Sequence, residues 1–474
     1  MAVRLKLDSL TDDQKKTIRK YLCLQPKKTN FATRKFYSTT KDPILFYWID
    51  KPTNEIVLPY FFANSLLKTH FNSKLIYPPG RFRFTGTLRD YQIPIVNKAL
   101  IQLHSLGTTS LIVATGLGKS IMATYLSSVM MGFAGGLTLV LVNRETIQTG
   151  WEKTYTEHTD AVTWIINKGK LKVPEKCNVI LCMNGRFEKI PYEIRKMVSV
   201  LIVDEAHLFC TATQVSVLLG TCPKNIIICT ATLERDNGMH SMIHAMAGTH
   251  KVKVKHTKFF TIMKYCTGIR TEICKTKHGD PDWAKLVHDL AFDPDRNNLI
   301  LDIVEKYKTH KIMILTWSAS HVDHLTDLLL KRKESVDKLV GNKSTYIDSR
   351  VLVGTISKIS TGFDCKNVAI NFDGSDIDLL ISAGSTKSVV LHDQSIGRPR
   401  SETPIIIDLV DDNRISKKHW GCRKKNYINE YNCEIIEVII KTKKTKGENK
   451  AKELVNSQIA AANKSMLNRL KNKK

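Results

Sequence analysis

The chain has 474 residues, 42% of them hydrophobic, which allows more than one buried core and about three domains at most. Lys and Arg number 72 against 45 Asp and Glu, a formal net charge of +27, so the chain either attracts a polyanion, nucleic acid first, or presents a solvated basic surface. The start, Met1-Ala-Val-Arg-Leu-Lys6, lacks the apolar core of a secretory signal, no apolar run is long enough to span a bilayer, and none of the eleven cysteines forms a C-x-x-C pair. These features argue against a membrane protein, a disulfide framework and a zinc site, and fit a soluble protein of a reducing compartment.

Residues 1–80 read as a small α+β module. Thr11-Asp12-Asp13 opens a helical pattern that runs to Leu22, because acidic residues suit a helix N-terminus. Strand-like runs follow at Phe36–Thr40, Ile44–Ile49 and Glu55–Tyr60, and Pro78-Pro-Gly80 punctuates the end. A module touching nucleic acid and a structural cap are equally compatible with this stretch. Leu88-Arg-Asp-Tyr-Gln92 then opens a helix through Ile95, Ala99 and Leu103. The Gln92 amide can donate and accept at once, as an adenine edge requires, although an ordinary surface glutamine accounts for it as well.

The stretch Leu111-Ile-Val-Ala-Thr-Gly-Leu-Gly-Lys-Ser120 has the order strand, glycine turn, helix. Backbone N–H groups of such a turn converge on one point, and the helix N-terminus favours negative charge there. Lys119 adds an ammonium for the outer phosphates of a nucleotide, and Ser120 a hydroxyl that can ligate Mg²⁺. The strict G-x-x-x-x-G-K-[ST] pattern is not met, since Val113 stands at the first glycine, but Thr115, Gly116, Leu117 and Gly118 still form the turn.

Near-continuous apolar strands then alternate with helices: Leu137–Val142, a helix from Arg144 to Trp151, Asn178–Cys182, Val198–Val203 and Asn225–Thr232. That pattern predicts a parallel sheet covered on both faces. Val203 leads into Asp204-Glu-Ala-His207, which places two carboxylates at the carboxyl end of a buried strand, where such sheets bind ligands. Asp204 can hold Mg²⁺, and Glu205 can orient and deprotonate an attacking water. The alternative, a carboxylate pair capping the next helix, is weakened by the phosphate-turn pattern on a second strand.

Ala114–Ser120, Asp204–His207 and Thr230-Ala-Thr232 resemble motifs I, II and III of the superfamily 2 helicases. Leu88–Gln92 resembles the adenine-proximal segment of that family, and Val142-Asn-Arg-Glu-Thr146 its motif Ia, which touches the nucleic-acid backbone. Beyond a connecting region (251–295) a second α/β half follows. Lys311–Trp317 resembles motif IV, Arg350–Thr355 with Ser360-Thr-Gly-Phe-Asp364 motif V, and Gln394-Ser-Ile-Gly-Arg-Pro-Arg400 motif VI, one residue shorter than usual.

The resemblance covers about Leu88 to Asp411. It implies two tandem RecA-like parallel-sheet lobes, residues 81–250 and 296–440, with the α+β module before them and a basic tail, 441–474, after them. It implies an ATP- and Mg²⁺-dependent helicase or translocase. Arg89, Gln92, the 115–120 turn, Gly362 and Asp364 would meet nucleotide, with Lys119, Asp204, Glu205, Gln394 and either Arg398 or Arg400 in hydrolysis. Asn143, Arg144, Thr230, Thr232, Trp317, Ser318 and Thr355 would meet nucleic acid.

The form Asp-Glu-Ala-His, the Thr230–Met239 pattern and His419-Trp420 look most similar to DNA-directed members of the superfamily, and with the overall size the chain resembles transcript-release and DNA helicases of large nucleocytoplasmic DNA viruses and the related phage branch-migration helicases. The implied partners are DNA, single- or double-stranded, or a DNA/RNA hybrid, together with transcription proteins. The protein is then expected to be a monomer, in host cytoplasm or virion. An RNA helicase, or a clamp on a helicase fold that does not hydrolyse ATP, are the alternatives. The segment His419–Tyr427 reads either as a basic–aromatic nucleic-acid track or as a packed helix with a basic outer face.

Overall fold

A computed structural model describes residues 2–25, 43–114, 116–167, 169, 174–230, 238–254, 258–359, 363 and 365–440. The chain divides into two compact units, Met1–Lys255 and His256–Lys474.

The first unit is built on a seven-stranded sheet. Its order is Val252–Val254, Thr108–Val113, Asn225–Thr230, Val198–Asp204, Leu137–Val142, Val179–Met183 and Thr163–Ile165, with every pairing parallel. The central strands are buried throughout and mostly apolar, with their few polar residues small or at the strand ends, as suits strands covered on both faces. Registers of Cys229 with both Leu111 and Asp204, and of Val203 with Leu141, bring the carboxyl ends of four strands to one edge, with Thr230 one residue and Val113 two residues beyond the level of Asp204 and Val142.

The N-terminal residues form a three-stranded antiparallel sheet in the order Ala2–Lys6, Glu55–Pro59, Trp48–Asp50. The helix Asp12–Leu22 starts at a capping box, in which Thr11 and Gln14 satisfy each other's backbone N–H groups. The run Ile44–Ile49 divides into the short strands Ile44–Leu45 and Trp48–Asp50, and Tyr60 starts a helix, Tyr60–Leu67, where a strand end was expected. Pro59 has no N–H to extend the ladder, and it immediately precedes that helix. Phe36–Thr40 lies outside the described residues. Val3, Leu5, Ile18, Phe46 and Val57 share one core with Leu139, Leu201, Phe209 and Leu218 of the large sheet's layer.

Four hydrogen bonds tie the N-terminal elements to one short loop. Ala2 N donates to Thr221 O (2.9 Å), Tyr77 Oη to Cys222 O (2.7 Å), Asn72 Nδ2 to Pro223 O (2.8 Å) and Tyr60 Oη to Lys224 O (3.2 Å). This loop feeds directly into the strand Asn225–Thr230.

The second unit holds its own seven-stranded parallel sheet. The order is Val336–Leu339, Val351–Thr355, Ile312–Thr316, Leu379–Ser382, Ile405–Val410, Phe259–Cys266 and Asn432–Ile439. The stretch 251–295 contributes a strand to each sheet, Val252–Val254 to the first and Phe259–Cys266 to the second, before the helix Trp283–Ala291. The helix Arg414–Glu430 has the form of the packed-helix reading of His419–Tyr427: Trp420 and Tyr427 belong to the core, while Arg414, Lys417, Lys418, Lys424 and Lys425 are exposed. The basic tail, 441–474, lies outside the described residues.

Buried histidines give this unit a defined acid sensitivity. Burial, reinforced by Arg423, pushes His419 down to about 4, and burial pushes His321 down to about 3 and His392 well below its usual value. The unfolded chain takes up these protons near pH 6.5 and the folded one does not, so stability from these groups is full above that pH and is lost as pH falls from about 6.5 towards 4. We expect the urea midpoint, read by circular dichroism, to fall between pH 7 and pH 5, and to fall less in His419→Asn. A midpoint that rises over this range contradicts the assignment.

Candidate nucleotide-hydrolysis site

In the first unit the predicted phosphate turn leaves the strand Thr108–Val113 and enters the helix Lys119–Ala134. Gly116 and Gly118 have φ of +87° and +80°, a region side chains disfavour, and this curls the backbone back before the helix. Gln92, 2% exposed, holds the turn from below: its Nε2 donates to Leu117 O (3.1 Å) and its Oε1 accepts from Arg89 N (3.0 Å). Tyr91 Oη adds a bond to Leu117 O at 3.4 Å. One donor and one acceptor of the amide proposed to read adenine therefore shape the turn itself. Arg89 is exposed.

A Cβ on Gly118 would lie 2.4 Å from Gln92 Nε2 and would sit at positive φ as well. Gly118→Ala should therefore displace Gln92 and open the turn, lowering affinity for a fluorescent ADP at least tenfold while circular dichroism stays unchanged. Wild-type affinity would show that the turn tolerates the displacement.

Across the strand ends stands the acidic pair. Asp204 is the last residue of its strand, and Glu205 follows with φ of +50°, an uncommon conformation for a non-glycine that turns its side chain back towards the turn. Lys119 Nζ is 3.6 Å from Glu205 Oε1. Glu205 Oε2 is 3.4 Å from His207 Nδ1 and makes no hydrogen bond among the described residues, although it is buried. A buried carboxylate oxygen without a donor suits a group that receives a proton from water.

Asp204 Oδ2 accepts from Trp151 Nε1 at 2.8 Å, and Oδ1 accepts from the Glu205 N–H at 2.9 Å. Burial, with the negative charge of Glu205 beside it, raises the Asp204 carboxyl to about 6, against the opposing pull of Lys119. A desolvated anion held in this way gains from a cation, so the donor set Ser120 and Asp204 fits Mg²⁺.

Thr230, expected at nucleic acid, is wholly buried, with its hydroxyl 2.9 Å from His207 Nδ1. Its polar contact is therefore internal: through His207 it connects the strand Asn225–Thr230 to Glu205. Thr115 and Thr232 lie outside the described residues. Asn143 and Arg144 stand between the strand Leu137–Val142 and the helix Glu145–His158, and Asn143 Oδ1 is buried without a hydrogen bond among the described residues. Two contributors escaped sequence reasoning: His207 as the link to Thr230, and Trp151 as the donor to Asp204. A tryptophan on an apolar helix face carries no signal that distinguishes it from core, and the pair is 53 residues apart.

In the second unit Arg398, 9% exposed, donates from Nη1 to Phe363 O at 2.6 Å, so the structure joins the predicted motifs V and VI. Arg400 bonds through its backbone, N to Ile377 O and O from Lys258 Nζ, and Gln394 is 2% exposed within the helix Val389–Ile396. Trp317 Nε1 donates to Ser385 O at 2.5 Å, Ser318 Oγ caps the helix Ala319–Lys331 by accepting from His321 N, and Thr355 ends its strand. Gly362 and Asp364 lie outside the described residues.

A glycine turn with a lysine at a helix N-terminus, facing an Asp–Glu pair on a neighbouring part of the same parallel sheet, defines a nucleoside-triphosphate hydrolase with a second α/β unit in the same chain. Residues 85–235 match the family described as type III restriction enzyme, res subunit. Helicase-designated protein 161L of Invertebrate iridescent virus 6 is 26% identical over 378 residues, covering 74% of this chain and 83% of that protein. Helicase-designated protein 109L of Invertebrate iridescent virus 3 is 30% identical over 224 residues, 44% of this chain and 67% of that protein. The solved structure of S. cerevisiae Dbp5 bound to RNA and ADP BeF3 matches with a TM-score of 0.51 at 11% identity, covering 77% of this chain and 93% of that one, a likeness of fold. The chain belongs to the superfamily 2 helicases, and its two sheets are their tandem RecA-like lobes. It is a nucleic-acid-dependent ATPase of the helicase class.

Proposed function

We propose that the chain is a translocase or helicase on DNA or DNA/RNA hybrids that serves viral transcription, by transcript release, or DNA repair and recombination, as a monomer in infected cytoplasm or virion. The observation that carries the enzymatic part of this reading is the cluster Lys119–Glu205–Asp204 at the carboxyl edge of the first sheet. Supporting the pathway are the viral relatives and the excess of 27 positive charges.

Lys119 binds the outer phosphates of ATP at the turn that Gln92 holds closed. Ser120 and Asp204 would hold Mg²⁺, which when bound would offset charge on the phosphate oxygens. Glu205 orients water and takes its proton onto the oxygen that lacks a donor. His207 is hydrogen-bonded to Thr230 and lies 3.4 Å from that carboxylate, so a shift of the strand Asn225–Thr230 would change the surroundings of the base. The arginine that would offset charge developing on the transferred phosphoryl group is Arg398 or Arg400. Asn143, Arg144, Trp317, Ser318 and Thr355 grip phosphates, which implies weak base preference and steep salt dependence.

The test is phosphate release with single-stranded DNA, duplex DNA, hybrid or RNA as activator, at several salt concentrations. Stimulation by DNA or hybrid that weakens as salt rises is the expected result, and stimulation by RNA alone replaces the DNA reading. Arg398→Ala and Arg400→Ala, assayed separately, identify the arginine by the larger loss of turnover at saturating ATP.

A further inference from the structure

Asp204 is fixed on both of its oxygens, and one of the two donors comes from a distant helix. Trp151, 1% exposed, aims its only donor at Asp204 Oδ2. The helix Glu145–His158 that bears it cannot easily turn away. Gln148, three residues earlier, donates from Nε2 to Leu181 O at 2.8 Å, and Tyr155, four residues later, pairs with Ser127 Oγ at 3.0 Å. These three side chains lie on one helix face, and all are buried. The Trp151 ring packs at 6.1 Å from that of Tyr155, which meets Phe82 edge-on at 5.8 Å. The indole is thus clamped before and after, and the direction of its N–H is set.

A carboxylate accepts along about four lone-pair directions, and here one on each oxygen is taken, by Trp151 on Oδ2 and by the Glu205 N–H on Oδ1. The two donors together fix the carboxylate plane and so decide which directions remain for a cation. Outer partners of this kind govern metal affinity by about 10- to 100-fold in known sites.

We infer that Trp151 is a positioning residue for the divalent cation, holding Asp204 in the orientation in which it takes Mg²⁺ together with nucleotide. This inference rests on the reading of Ser120 and Asp204 as the Mg²⁺ site.

The test uses the full chain, ADP, and Mn²⁺ as a paramagnetic probe. Retention of Mn²⁺ by the ADP-bound protein is read by electron paramagnetic resonance, and ADP binding in excess chelator is measured separately. Trp151→Phe, which keeps an aromatic ring and loses the N–H, should weaken Mn²⁺ retention about tenfold or more. Metal-free ADP binding should stay within about twofold, since no phosphate-contacting residue changes. Equal Mn²⁺ retention in variant and wild type, or an equal loss of metal-free ADP binding, overturns the inference. If wild-type protein itself fails to retain Mn²⁺ with ADP, the underlying reading of the site fails instead.

A second measurement keeps the proposal testable should the variant not fold. In protein labelled with ¹⁵N at its six tryptophans, the indole signal displaced by Asp204→Asn must also be the one that moves when Mg²⁺ joins the ADP-bound wild type. An indole signal indifferent to Mg²⁺ removes the role.

Discussion

Glu205→Gln is expected to lower the turnover number for ATP by about 10²- to 10⁴-fold at saturating nucleic acid, the usual range for removing a positioned general base. The amide has the same shape as the carboxylate and cannot accept the proton of an attacking water. The geometry separates this effect from binding. Lys119 meets Glu205 through Oε1, whereas Oε2 faces His207 and lacks a hydrogen-bond donor. Losing the negative charge leaves Lys119 more available to phosphate, so nucleotide affinity should hold or rise slightly while turnover falls. Phosphate release and fluorescent-nucleotide binding, measured on one preparation, check both halves. A Glu205→Gln protein turning over at the wild-type rate would falsify the assignment of the base.

The second large effect concerns the fold of the second unit. Asp408 lies within the strand Ile405–Val410, fully buried, and Arg423 meets it with a two-pronged contact, Nε to Oδ2 and Nη2 to Oδ1, both at 2.7 Å. The remaining guanidinium nitrogen donates to Thr386 O at 2.8 Å, and Tyr427 Oη adds a bond to Asp408 Oδ2 at 3.3 Å. Arg423→Ala would strand a carboxylate in an apolar layer, and breaking a buried pair on one side costs about 3–5 kcal/mol. That is a large fraction of a domain's net stability of about 5–15 kcal/mol. We expect Arg423→Ala to unfold the second unit at markedly lower urea, or to be recovered only as aggregate. The paired change Asp408→Leu with Arg423→Met should regain much of the loss, because it removes both charges and retains volume. An Arg423→Ala midpoint within error of wild type would mean that water reaches Asp408.

What the sequence makes legible follows from where the physics is local. The strand Val198–Asp204 is apolar from Val200 to Val203 and stops at a carboxylate, so its burial and the placing of Asp204 and Glu205 at the carboxyl edge can be read from adjacent letters. The glycines of the phosphate turn are legible for the same reason. Leu379–Ser382 has four residues and no flanking pattern to mark it, yet it pairs on both sides in the centre of the second sheet. Ala2–Lys6 gains its identity from Glu55–Pro59, about fifty positions away. Phe259–Cys266 alternates buried and partly exposed residues and contains Thr261 and Lys264, so it resembles a connector until its two parallel neighbours are known. The same non-locality hid the contact of Trp151 with Asp204 and that of His207 with Thr230. Each is a single directed bond whose partner can be named only after the sheet order is fixed.

The grip of the N-terminal elements on Thr221–Lys224 bears on how this protein can be produced in pieces. A clone starting at Phe82, the obvious choice for isolating the ATP-hydrolysing half, would uncover four backbone oxygens and the apolar layer around Leu218 and Phe209. Such a fragment should come out insoluble or sticky, whereas one running from Met1 to Lys255 retains its covering.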